Sequence, residues 1–434
     1  MGHFNDQQYY EFMKRAKDQF TPFTPIQLVE LFKGRSEIIR KIVTELQSPG
    51  RHIILFGDRG VGKTSLANLT GFYAEFRSDR TLVHRCTTTS TFDTICADLL
   101  RKIGIHHVPV SKTIECQGTM ELDLSAINIS LGLTSTEELQ ALQPFLLTPN
   151  LVAEHIADRQ LLVILDEYDR VESSATNVAI SDLIKHLSDA GASTRLMIVG
   201  VSESVETLIG NHPSIARNIA QVHLQRMRPN ELRPILVDGF QQLDITYDDS
   251  VLDSIIATSD GFPHFAHLLG LKICEVLADR LYESDDPSKK VSEQCLSAAL
   301  ERAIEGTQES LRLAYQKATE TVRKKSDGYV QVLEGMAAAE KTEVQINELL
   351  TNINGLFGTS FRQQNISNWL GVLVNDRKVL LRPRVGYYKF ADPMMRAYVR
   401  MIMGEKRLSG DTFYQQLLPF MLVPSPPPPS IPAT

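Results

Sequence analysis

The sequence predicts an α/β core, a parallel sheet between helices that carries a β-rich insertion, followed by an α-helical lid and a C-terminal winged helix-turn-helix. Three observations predict it. Short, almost wholly apolar runs alternate with helical stretches between Phe32 and Leu224, the pattern of parallel strands covered on both faces. From Arg226 the apolar periodicity becomes helical. From Asp327 three helical stretches precede two short β-rich runs and a last helix, the order of a helix-turn-helix with a wing.

In chain order, residues 1–30 read as an N-terminal strap: QYYEFMKRAKDQF has helical spacing, and Pro22 and Pro25 then interrupt any helix. The core, 31–227, takes its strands from HIILF, TLVHRC, LLVILD, RLMIVG and AQVHL. Its segment 105–146 contains VPVSKTIEC and MELDLSAINISLGL, which alternate like strands and read as the insertion. The lid and connecting arm, 228–325, are four helical stretches beginning at PNELRPIL. The winged helix, 326–407, runs through GYVQVLEGMAAA, EVQINELLTNI, SFRQQNISNWLGVLVND, KVLLRP, YYKFA and DPMMRAYVRMIM. The tail, 408–434, ends in VPSPPPPSIPAT, a polyproline II segment read as a solvated terminus, with a ligand for a proline-binding groove as the alternative.

Composition narrows the function. The 434 residues suffice for about three domains, and 43% hydrophobic with 22% charged residues is the balance of a folding globular chain. The net charge of −7 excludes a protein-wide basic field for nucleic acid or anionic lipid, so such binding needs a local patch. With no apolar run of about 20 residues and no signal-peptide pattern, the expectation is a cytoplasmic protein without a membrane partner. The five cysteines form no CxxC or Cys/His cluster, which points to neither a disulfide framework nor a zinc site.

The chemistry concentrates in HIILFGDRGVGKTSLANL. A buried strand, Gly57, four residues that include Gly60, then Gly62, Lys63, Thr64 and Ser65 opening a helix match the phosphate-binding P-loop in its structural context. Its glycines let backbone N–H groups converge on phosphate oxygens, Lys63 adds a cation toward the β- and γ-phosphates, and the Thr64 hydroxyl is a Mg2+ ligand. Asp166, ending the strand LLVILD, is placed to hold that Mg2+, and Glu167 to polarise the attacking water. The pair predicts a Mg2+-dependent ATPase.

With these motifs and the entry segment FKGRSEIIRKIVTEL, residues 30–404 resemble AAA+ ATPases of the origin-recognition and initiator type, and also the related STAND and archaeal-type ATPases. The resemblance implies that Phe32, Gly34 and Arg35 lie near the adenine base. It implies a γ-phosphate sensor at the end of RLMIVGV, where Ser202 is the candidate and Glu203 the rival. It implies an arginine finger, Arg217, reaching a neighbouring subunit, with an ordinary surface arginine as the alternative. In the lid, Gly261-Phe262-Pro263 resembles the Gly-x-Pro segment of STAND-like ATPases, and His264 stands where a sensor arginine is usual, so Pro263 and His264 are candidate nucleotide contacts.

The last module carries the partner question. Gln363, Gln364 and Asn368 are types that read base edges or phosphates, and Arg382, Arg384 and Lys389 lie on the wing. Between Asp376 and Arg407 nine basic residues face three acids, a local excess of 9 − 3 = +6. The expectation is a self-assembling ATP switch or motor that engages DNA through its winged helix. The alternative is a STAND-like signalling or scaffold ATPase, for example in a prokaryotic defence system, whose last module packs on the core and whose partner is an effector protein.

Overall fold

The computed structural model describes residues 4–24, 34–74, 80–105, 147–201, 217–283, 288–320 and 328–409. Insertion residues 106–146, candidates Phe32, Ser202 and Glu203, and the tail from residue 410 lie outside them. The chain forms two compact units. One comprises 40–56 and 70–222; the other comprises 1–39, 57–69 and 223–434.

The first unit is the sheet layer. It holds α2 (Ser36–Gln47) from Arg40 onward, β1 (His52–Gly57) up to Phe56, β2 (Thr81–Arg85), α4 (Phe92–Lys102), α5 (Pro149–Ile156), β3 (Leu162–Asp166), α6 (Ser174–Asp189), β4 (Arg195–Val201) and β5 (Ile219–His223) up to Val222. The sheet order is β2-β3-β4-β1-β5, with β2–β3 and β3–β4 parallel in a register that sets Arg85 beside Asp166. β1 and β3 are buried at every position because both faces carry helices, which is why their sequences are apolar without alternation. Ile54, Val163, Leu165 and Ile198 pack in one core with Ile95, Leu99, Leu183 and Leu187 of the helices. Local caps end the helices: Thr91, Thr148 and Ser173 side chains each accept an N–H of the first turn, and Pro149 follows the Thr148 cap.

The second unit joins the phosphate loop to everything C-terminal of the sheet. It holds α1 (Asp6–Gln19), the start of α3 (Lys63–Tyr73), α7 (Pro229–Gln242), β6 (Thr246–Tyr247), α8 (Asp249–Ser259), α9 (Pro263–Glu283), β7 (Lys290–Val291), α10 (Glu293–Gly306) and α11 (Glu309–Thr319). The C-terminal module follows: α12 (Gly328–Ala338), β8 (Val344–Gln345), α13 (Ile346–Phe357), α14 (Gln363–Asn375), β9 (Leu380–Arg384), β10 (Tyr387–Phe390) and α15 (Met395–Leu408). Its three strands form an antiparallel sheet, β8-β10-β9, over Leu333, Leu349, Ile366 and Leu370. The N-terminal strap runs antiparallel to α9. Phe4 N–H donates to Leu281 at one end, and Phe20 at the other fills a socket between Gly239 and Gly270, where any side chain would meet its ring at 2.5 and 2.4 Å.

Candidate functional site

The phosphate loop is shaped by what approaches it. β1 ends at Gly57, whose φ of 148° and 2.3 Å clearance between a would-be Cβ and the Leu224 carbonyl leave room only for glycine. Lys63, the first residue of α3 and nearly buried, arches back so that its Nζ donates to the carbonyls of Gly57 (3.0 Å) and Asp58 (2.8 Å). The ammonium therefore sits over the loop, while Thr64 and Ser65 occupy the first helical turn, where N–H groups and the helix dipole favour an anion. This donor set fits a nucleotide phosphate.

Arg35, which the resemblance sets near the adenine base, has protein partners. It is buried at φ 61°, and its guanidinium donates to Val61 O (2.6 Å) inside the loop and to Gln225 O (2.9 Å) beyond β5. Burial pushes its pKa down to about 10. Arg35 thus braces the loop, and Gly34, at φ 73°, lets the backbone lie against Met227 and Glu231. Pro263, at the start of α9, lies on the loop at Gly62. His264 Nδ1 is 2.8 Å from Pro22 O; a carbonyl only accepts, so that nitrogen carries the proton. Burial lowers the pKa of His264.

Five residues to which the sequence assigned no part in this site lie beside the loop or on the groups that touch it. Arg226 contacts Asp58 of the loop (3.3 Å), Asp260 of the lid (2.5 Å) and the Pro393 carbonyl of the C-terminal module (3.4 Å), and it stacks on Phe262 at 4.5 Å. Asp260, at φ 50° and 8% exposed, also receives Arg396 (3.3 Å) and Arg400 (3.0 Å) from α15. Burial lowers Arg396 to about 9, while four hydrogen-bonding carbonyls around the two arginines, those of Ala257, Ala337, Ala339 and Glu340, complete their shells. Met394, just before α15, lies against Gly60. No motif marks these residues: apart from Met394, each is an ordinary charged side chain whose partners are more than 30 residues away in sequence.

In the sheet unit, Asp166 ends β3 nearly buried, and its Oδ1 accepts the N–H of Glu167 at 2.9 Å. Glu167 is left-handed (φ 54°, ψ 35°) and opens a short 3-10 turn over Tyr168–Arg170. Its carboxylate pairs with Arg170 at 2.9 Å, and Asp169 accepts the Val201 N–H at 2.8 Å. Cys86, whose N–H donates to Asp166 O, is pushed up to about 12, first by burial and then by the charges of Asp166, Asp169 and Glu167, so it stays a thiol. Arg217 is 80% exposed immediately before β5, with Asp189 at 4.0 Å. Among the described residues no group of three or more His, Cys, Asp or Glu has metal-holding geometry.

The basic C-terminal stretch needs a correction. Arg396 and Arg400 are bound to Asp260, and Lys406 pairs at 2.9 Å with the fully buried Glu334. Arg377 stacks on Tyr329 at 4.0 Å and donates to the Ala318 and Glu320 carbonyls. The +6 of the sequence is therefore not a surface charge. Arg382 and Arg384 are exposed, with Arg384 stacked on Tyr387 at 3.7 Å and 3.8 Å from Glu343; Lys389 is half-buried. Gln363, Gln364 and Asn368 are exposed on α14, where Gln364 donates to Asn368 at 3.2 Å.

Comparison with known proteins agrees with this geometry. The Walker-type ATPase of Pyrococcus abyssi is 17% identical, with a TM-score of 0.51 over 88% of this chain and 99% of that one. The Aeropyrum pernix ORC2 protein, solved as ADPNP-ADP complexes, is 14% identical with a TM-score of 0.48 over 92% and 98%. Cdc6p of Pyrobaculum aerophilum is 13% identical with a TM-score of 0.43 over 92% and 98%. At 17% identity the likeness to the Pyrococcus abyssi protein concerns the fold. No curated protein matches the sequence. No described helix is long and apolar enough to cross a membrane. The family profile described as Novel STAND NTPase 1 matches residues 20–377, and the chain, a P-loop NTPase of the STAND type, belongs to that family.

Proposed function

We propose that this protein is an ATP-hydrolysing switch whose C-terminal module, a winged helix, is clamped to the phosphate loop and passes the nucleotide state to an effector protein. The observation that carries the reading is Arg226, which joins Asp58 of the loop, Asp260 of the lid and Pro393 of the module. Lys63 and the first turn of α3 would bind the phosphates, and Thr64 and Asp166 are the residues that would ligate Mg2+, which would supply charge neutralisation on the transferred phosphoryl group. Glu167 accepts a proton from the attacking water. Arg217, exposed and flanking β5, is free of deep burial and suits a finger offered to a neighbouring protomer. Gly34 and Arg35 support the base side by bracing the loop.

The test is nucleotide binding and turnover side by side. Lys63→Ala is expected to lose ATP binding, whereas Glu167→Gln keeps binding and loses hydrolysis; turnover by Glu167→Gln at the wild-type rate contradicts the assignment. Specific activity that falls on dilution, and falls again in Arg217→Ala, supports assembly; activity flat in both rejects it.

A second reading, DNA engagement, rests on the exposed polar face of α14 (Gln363, Gln364, Asn368) beside the exposed Arg382 and Arg384 and half-buried Lys389 of the wing. Fluorescence anisotropy over a salt series decides it. Affinity that falls steeply with salt and weakens in Arg382→Ala/Arg384→Ala supports DNA; salt-insensitive or absent binding leaves the effector reading.

A further inference from the structure

We infer that Arg170 is a positioning residue for hydrolysis, a latch that holds the Glu167 carboxylate away from the attacking water until the pair opens. The inference rests on Glu167 as the base that polarises water. The backbone around Glu167 is fixed on both sides. Its N–H is bound to Asp166 Oδ1, its own φ/ψ is left-handed, which costs a residue with a Cβ about 1–2 kcal/mol, and Asp169 ties the next turn to the end of β4 through Val201. Tyr168 between them is buried and bonded to Asn177 at 2.8 Å. What remains adjustable is the Glu167 side chain, and its Oε2 accepts from Arg170 Nη1 at 2.9 Å, three residues on.

A carboxylate oxygen that accepts from a guanidinium has that lone pair engaged and is a poorer acceptor for a water proton. The left-handed conformation and the following 3-10 turn bring the two side chains together. An ordinary strand-to-loop exit would send successive side chains to opposite faces and separate them. Both partners are about half exposed, 49% for Glu167 and 52% for Arg170, so water and salt compete for the pair. It is a weak hold, suited to opening within a turnover. Arg170 need not touch nucleotide for this; it acts through Glu167.

The experiment measures single-turnover ATP hydrolysis of the full chain at saturating Mg-ATP across an ionic-strength series, so that the chemical step is read apart from binding and release. An exposed pair of this kind corresponds to about a two- to fivefold change in rate. Arg170→Ala is therefore expected to speed hydrolysis by that factor at low salt with unchanged ATP affinity. Raising salt should speed the wild type toward the variant, and Arg170→Lys, which keeps the charge, should lie between them. Arg170→Gln provides the same comparison with a side chain of similar reach. In a Glu167→Gln background Arg170→Ala should change nothing, because the group it restrains is gone. A merely structural arginine would shift thermal stability without this salt dependence. Slower or unchanged hydrolysis in Arg170→Ala and Arg170→Gln, or an equal gain in the Glu167→Gln background, overturns the latch and leaves the base assignment standing. Wild-type hydrolysis by Glu167→Gln overturns both.

Discussion

The two halves of the basic stretch, residues 376–392 and 393–407, carry similar numbers of cations, five and four, yet present them differently. From Asp376 to Asp392 the strand β9 displays Arg382 and Arg384 to solvent; from Pro393 to Arg407 the helix α15 buries Arg396 and binds Arg400 and Lys406 to acids and carbonyls. The difference lies in partners. β9 is an edge strand with four successive exposed residues, whereas α15 packs inside the module and against the lid, where Asp260 and Glu334 await its charges. A charge count over a segment reports how many cations exist, and only the fold decides which of them a partner meets.

That contrast can be broken most severely at Asp260. Asp260→Ala leaves Arg396 buried without its counter-charge, and about 3–5 kcal/mol of stability is expected to go in urea unfolding, with fraying of α15. A loss below about 1 kcal/mol would mean that the clamp is a surface feature like the arginines of β9.

A pH series sharpens the contrast from another side. Arginine and lysine keep their charge throughout pH 5–8, so neither half should respond there. His52 and His267, held neutral chiefly by burial with pKa values down to about 3 and about 4, should respond. Below about 6.5 the unfolded chain binds protons that the folded histidines refuse, so stability is full above that pH and falls as pH drops toward the folded values. About 2 kcal/mol is expected to be lost at pH 5 for each of the two. Urea midpoints that stay level between pH 7.5 and pH 5 would show that both rings are protonated without cost.

Lys406→Met removes the lysine from a fully buried carboxylate, and about 1–3 kcal/mol is expected to be lost; Glu334→Gln beside it should recover part. Smallest of all, Arg382→Ala/Arg384→Ala should stay within about 0.5 kcal/mol of wild-type stability while weakening any polyanion binding.

How much could be read in advance follows the same division between local and distant partners. The phosphate loop was legible because strand, glycines, lysine and helix are consecutive, and Lys63 finds its carbonyls five and six residues away. The placement of Asp166 at the end of an apolar strand was legible for the same reason. Arg35 was found by its motif, yet its work was not, because Val61 and Gln225 are its neighbours only in the fold. Arg226 and Asp260 carried no signal, and Arg396 and Arg400 were legible only as part of a basic stretch, since the meaning of each lies in a residue at least 34 positions away. The sheet and helices followed their periodicities, while the division of the chain into units cut across them: Gly57–Leu69 belongs with the lid and the module, and its flanking strand with the sheet.

The central claim is that nucleotide at the phosphate loop is felt by α15 through Arg226 and Asp260. Amide hydrogen exchange of Met394–Met403, in a Glu167→Gln chain that retains ATP, tests it most directly. The account predicts faster exchange in this segment on adding Mg-ATP, with no change in Lys63→Ala and with Asp260→Ala already fast without nucleotide. Exchange that stays the same when ATP is bound would contradict it.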